Sequence, residues 1–192
     1  MVAVTGEELP VLWIVSRAAA LVATGMLTVT VLLGIAAGSR SASAWPRFVT
    51  QGLHRAAAVT GLVLLVVHIV TMVVDPHAEL GPADVVVPFG AGYRALWTGL
   101  GTLAVDLMLL ILLTTLWRHR LSPRLWRGIH LTAYAAWGLA IAHGIGAGTD
   151  AGQPLVAATN AASVGLVVAA LGVRVYRDWG RQGTRYRKEV SA

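Results

Sequence analysis

Apolar positions in this chain gather into five runs of about 20 or more residues, at about 11–37, 53–74, 95–117, 125–146 and 155–175, with almost no charge inside them. Each run is long enough to cross the roughly 30 Å hydrocarbon core of a bilayer as a helix. Charge marks all four connections, GSRSASAWPRFVTQG, DPHAELGPADVVVPFGAGYR, RHRLSPR and AGTDAGQP, and three of the four combine Pro with Gly. The pattern predicts an all-α integral membrane protein, a bundle of about five transmembrane helices. No linker or soluble domain interrupts it, so residues 1–192 read as one unit ending in a short basic tail, 176–192.

Composition agrees: 56% of the 192 residues are apolar and only 12% charged, where a soluble domain has about a quarter charged. With a mean hydropathy of +0.70, this excludes an ordinary soluble domain, a disordered chain and a nucleic-acid-binding module. The absence of cysteine excludes disulfides, a thiolate metal site and covalent haem attachment through CxxCH. The N-terminal MVAVTGEELP lacks a basic region, and the apolar run after it is longer than a signal-peptide core, so the first helix is expected to remain uncleaved.

A pI near 10.8 then reports topology. Thirteen of the fifteen basic residues fall on one side of the predicted bundle, in the first connection (Arg40, Arg47, Arg55), the third (Arg118, Arg120, Arg124, Arg127) and the tail (Arg174, Arg177, Arg181, Arg185, Arg187, Lys188). Six of the nine acids, Glu7, Glu8, Asp75, Glu79, Asp84 and Asp150, fall on the other. The positive-inside rule gives a multi-pass cell-membrane protein with its N-terminus outside and its C-terminus in the cytoplasm.

Four of the six histidines lie inside predicted spans: His54 and His68 on the second, His130 and His143 on the fourth. Coordinating side chains within a bilayer are costly and are functional candidates by default, although a lone one is commonly a hydrogen-bonded packing residue. These four are matched in depth. Their separations of 14 and 13 residues set two levels roughly 20 Å apart, His54 with His130 towards the cytoplasm and His68 with His143 towards the outside. Two facing imidazoles at each level can axially ligate two stacked b-type haems between the second and fourth helices. At 100° per residue, 14 positions keep His54 and His68 on one face, while 13 leave His130 and His143 about 140° apart. Either the fourth helix is overwound, or its two imidazoles approach from different directions.

In LHRAAAVTGLVLLVVH and WRGIHLTAYAAWGLAIAH the chain resembles the ferric-reductase-like transmembrane domain family, which includes the membrane parts of NADPH oxidases, ferric reductases and the bacterial MsrQ/YedZ haem proteins. The resemblance covers about 17–175, nearly the whole chain. It implies a dihaem cytochrome b that carries single electrons across the bilayer to an extracytoplasmic acceptor, protein or small molecule. Many members have six helices where five are counted here. Members that use NADPH carry a flavin and nucleotide domain after the helices, and this chain ends about 17 residues beyond its last predicted one. A separate cytoplasmic flavoprotein or quinol is therefore expected to donate. Two alternatives stand behind this: a quinol-linked cytochrome b subunit, although no PEWY-type loop is present, and a haem-free protein of metal transport or assembly.

Several other residues are candidates. Arg55 and Arg127 near the inner histidines, and Arg17 and Arg94 on the outer half, are candidate partners for haem propionates; boundary arginines also snorkel. Gly61, midway between His54 and His68, either admits a macrocycle edge or serves helix packing through Ala57-xxx-Gly61, with Gly138 a weaker counterpart. Asp106, near the middle of the third helix, is expected to be protonated or hydrogen-bonded to a Thr or to Arg17. Tyr134 and Trp137 are expected to pack; Trp13, Trp97, Trp117 and Trp126 read as interface aromatics. His77 and His119 fall in loops. Gly144, Gly146 and Gly148 imitate a dinucleotide fingerprint but follow a membrane helix.

Overall fold

The computed structural model describes residues 11–38 and 46–190, with side chains to 180. Glu7, Glu8 and Arg40, and the side chains of Arg181, Arg185, Arg187 and Lys188, lie outside that description. Six α-helices follow in order: α1 (Val11–Gly38), α2 (Arg47–Val74), α3 (Ala95–Leu116), α4 (Pro123–Leu131), α5 (Ala133–Ala147) and α6 (Pro154–Val190). Two short 3-10 turns, Pro82–Val85 and Arg118–Arg120, lie in the connections, and no strand occurs among the described residues. Four helices are long and apolar enough to cross a membrane: α1, α2, α3 and the Pro154–Gly180 part of α6.

The expected fourth span is divided at Thr132. Its N–H donates to the Ile129 carbonyl at 3.0 Å, and its hydroxyl to the same oxygen at 2.7 Å. That three-residue closure is tighter than an α-turn, and a Thr hydroxyl bonded back to the preceding turn bends a helix. The α-pattern resumes where Ala136 N–H donates to the Thr132 carbonyl at 2.9 Å. Of the two alternatives left by the 13-residue spacing, the structure shows local overwinding at Thr132, together with a break in the helix.

Two other boundaries differ from expectation. Helix α2 starts at Arg47 rather than near residue 53, because the Pro46 carbonyl accepts from Val49 and Thr50 N–H and starts the helix directly after the proline. His54 is therefore two turns inside. The basic tail is not a separate segment; α6 continues through it to Val190, in a stretch of Arg, Gln and Lys that favours helix.

Helix α1 packs along α2 and also meets α6 and α5, while α3 lies against α5 and α4. A core of Val31, Ile35 and Val167 joins α1 to α6, with Tyr134 and Trp137 of α5 packed on it. Trp137 donates its indole N–H to the Thr28 hydroxyl at 3.0 Å, so both aromatics serve packing, as expected. On the opposite face of α2, Val59, Val63, Val66, Val70 and Val74 are exposed at helical spacing, the surface a helix turns towards lipid. Arg174 approaches the end of α1 at Gly38, where a cation complements the carbonyl end of the helix.

Between α2 and α3 the chain folds back on α3. Asp84 accepts from Gly81 N–H at 2.8 Å, the Asp84 carbonyl accepts from the Thr102 hydroxyl at 2.7 Å, and the Phe89 ring occupies the space a side chain at Gly99 would fill.

Candidate functional site

Helix α2 carries His54 and His68 on one face, and the α4–α5 break directs His130 and His143 towards them. The ring centres of His54 and His130 are 6.2 Å apart, and those of His68 and His143 are 6.4 Å apart. The pairs are those the depth argument expected. The structure thus brings together all four histidines, as two separate couples. Among the described residues no three His, Asp or Glu side chains form a group that could hold a metal ion.

Neighbouring helices fix three of the four rings. His54 Nδ1–H donates to the Thr30 carbonyl of α1 at 2.9 Å. His143 Nδ1–H donates to the Trp97 carbonyl of α3 at 2.9 Å. His68 Nδ1–H meets both the Ser16 carbonyl, at 3.2 Å, and the Ser16 hydroxyl, at 2.8 Å. That hydroxyl is fully buried and its proton is directed to the His68 carbonyl at 3.5 Å. A carbonyl can only accept, so each of these imidazoles carries its proton on Nδ1 and keeps the lone pair on Nε2, the tautomer a metal ligand needs.

His130 is different. Its buried Nδ1 has no hydrogen-bond partner among the described residues, and its ring stacks on Trp126, one turn earlier, at 4.9 Å between centres and 21° between planes.

Ser16, Thr30 and Gly101 lie at the site and escaped the sequence reading, and Trp97, expected as an interface aromatic, joins them through its carbonyl. An added Cβ at Gly101 would lie 2.6 Å from His143 Nδ1, so helix α3 can approach His143 only because residue 101 has no side chain. Glycine or serine in an apolar helix gave no signal that could single them out.

The candidate arginines divide by environment. Arg17 forms an ion pair with Asp150 at 3.3 Å, donates to the Thr149 hydroxyl at 3.3 Å and lies 5.5 Å over Trp13, while its buried Nε–H has no partner. Arg94 donates to the Gly146 carbonyl, at 2.6 Å, and the Tyr93 hydroxyl to the Ala147 carbonyl, at 3.3 Å. Together they cap the open carbonyls at the end of α5. Arg94 does so from a left-handed backbone, φ 41°, which a non-glycine residue adopts only when held. Arg55 and Arg127 are exposed.

Gly61 faces α1, where an added Cβ would meet Leu27 and Met26 at 3.2–3.3 Å. Of its two expected roles, the structure gives it helix packing. Gly138 has open space at its Cβ position. Asp106 is half-buried on α3, and Arg17 is bound to Asp150 instead of to it. His77 accompanies Asp75 at 3.2 Å on an almost fully exposed side chain.

A family model, Ferric reductase like transmembrane component, matches residues 19–141. That span takes in His54, His130 and His68, and the chain belongs to this family. It is accordingly a multi-pass membrane protein of a class that generally binds haem and serves transmembrane electron transfer. Comparison with curated proteins and with solved structures finds no match.

Proposed function

We propose that this chain is a dihaem b-type membrane cytochrome, in which His54 and His130 would hold one haem and His68 and His143 the other. It carries electrons one at a time between the two faces of the bilayer. The observation that carries the reading is the pair of ring separations. Two metal–imidazole bonds of about 2.0 Å, with each ring centre ~1.1 Å behind its nitrogen, would set the centres ~6.2 Å apart. Both pairs match that separation, and histidines packed directly on one another would lie closer.

The donor chemistry agrees. Each level offers two imidazoles with, among the described residues, no third His, Asp or Glu beside them, which suits a group that brings its remaining donors with it. When bound, haem supplies the one-electron iron couple. The residues of this chain orient and tune. Thr30, Ser16 and Trp97 hold the imidazole protons on Nδ1. The unpartnered Nε–H of Arg17 is the donor best placed to meet a propionate; Arg94 keeps further donors for the same end, and Arg55 and Arg127 serve the inner level.

The topology remains that given by the basic residues, N-terminus outside and C-terminus cytoplasmic. The His54–His130 level then faces a cytoplasmic flavoprotein or quinol, and the His68–His143 level an extracytoplasmic acceptor. The whole chain forms one transmembrane haem-binding unit.

A vesicle experiment tests this. Purified protein is placed in liposomes that contain ferricyanide, and dithionite is added outside. Bleaching of the trapped oxidant should far exceed the rate in protein-free vesicles and collapse in His68→Ala. A wild-type rate equal to that of protein-free vesicles contradicts the proposal.

A further inference from the structure

Three of the four site histidines have Nδ1 fixed by a group on a neighbouring helix, and the fourth does not. His130 lies in the last turn of the short α4, two residues before the Thr132 break. An imidazole with no partner on Nδ1 is free to rotate about its side-chain bonds unless something else holds the ring plane. The one group that does so here is the Trp126 indole, stacked at 4.9 Å and 21°. Trp126 is in turn held from α3, because its Nε1–H donates to the Thr115 hydroxyl at 3.4 Å. Residues four apart on a helix lie one above the other, so the stack is built into the α4 backbone.

We infer that Trp126 is the positioning residue of His130, fixing by ring stacking the imidazole plane that a backbone carbonyl fixes at the other three histidines. Thr115 positions Trp126 in the same chain of contacts. The inference rests on the haem ligation proposed above. It adds that the two levels are unequal: both imidazoles of the His68–His143 pair have hydrogen-bonded Nδ1 protons, and only one of the His54–His130 pair does. A hydrogen bond on Nδ1 raises ligand basicity and favours the oxidised metal. The His54–His130 level should therefore be the easier of the two to reduce, and its ligand field should depend on Trp126.

The test is a redox titration with low-temperature electron paramagnetic resonance on full-length protein carrying both haems. Trp126→Leu removes the aromatic face. One of the two midpoints should rise, by about the 59 mV that corresponds to a tenfold change for one electron, and one low-spin signal should broaden or shift while the other stays. Trp126→Phe keeps an aromatic ring on His130 and should preserve both signals. Thr115→Val frees the indole without touching α4 and should move the same midpoint in the same direction by less. It keeps the inference testable if Trp126→Leu loses a haem outright. Two unchanged midpoints in Trp126→Leu, equal movement of both, or equal damage in Phe and Leu overturns the inference. A wild-type protein without haem instead overturns the ligation on which it rests.

Discussion

Ser16 of α1 holds His68 of α2 through two atoms, its hydroxyl 2.8 Å and its carbonyl 3.2 Å from the imidazole Nδ1. Both helices therefore contribute to one ligand position, although only the histidine is visible as a functional residue in the sequence. Ser16→Ala removes the hydroxyl and leaves the carbonyl. The fold should lose only about 1 kcal/mol, while haem affinity at the His68 level should fall by roughly tenfold. Titration of haem into the apoprotein reads the two sites separately; two unchanged affinities would deny Ser16 this role.

The pairing itself predicts which haem each histidine controls. His68→Ala and His143→Ala should each lower the haem content from two per chain to one, and the remaining haem should have the same spectrum in both variants. His54→Ala and His130→Ala should leave the complementary spectrum. Loss of both haems, or of neither, from a single substitution speaks against two independent levels.

Gly101 and Gly61 separate ligand support from helix packing. In Gly101→Ala the new methyl would lie 2.6–2.9 Å from three atoms of the His143 ring, so the ring must move and one haem should be lost. In Gly61→Ala the new methyl meets Leu27 and Met26 at 3.2–3.3 Å. That change should cost about 1–3 kcal/mol of overpacking with both haems kept. Thermal denaturation and haem content, measured on both variants, give the comparison.

Arg17 and Asp150 are each about one-fifth to one-quarter exposed, so their ion pair contributes only about 0–1 kcal/mol. Asp150→Asn should barely change the melting temperature. Arg17→Gln should affect one haem much more, because it removes the cationic Nε–H donor that no protein group satisfies. A shift of one midpoint in Arg17→Gln with none in Asp150→Asn is the expected result, and equal small effects would remove Arg17 from the site.

Four of the five expected spans and the pairing of the histidines were legible because hydropathy fixes where a chain can cross a bilayer and helical rise fixes depth. Thus 14 and 13 residues sufficed to match His54 with His130 and His68 with His143. The same 13-residue interval left open either an irregularity in the fourth span or two different directions of approach, and it gave no sign that Thr132 would carry a break, since a threonine in an apolar helix is commonplace. Helix α2 was read too short because Arg47 to Gly52 are not continuously apolar, and Pro46, not hydrophobicity, sets its start. Gly61 sits at the right height for a macrocycle edge, but sequence gives no account of which neighbour a glycine faces. The supports of the ligands were hidden for a plainer reason. Three are main-chain carbonyls, at Ser16, Thr30 and Trp97, and residue type says little about where a carbonyl points.

Haem stoichiometry tests the central claim most directly. Protein purified after expression with ample haem supply is measured by a dithionite-reduced-minus-oxidised spectrum and by pyridine haemochrome against protein concentration. The account predicts two b-type haems per chain. A chain that folds and binds no haem would contradict it and leave the two histidine pairs to other metal chemistry.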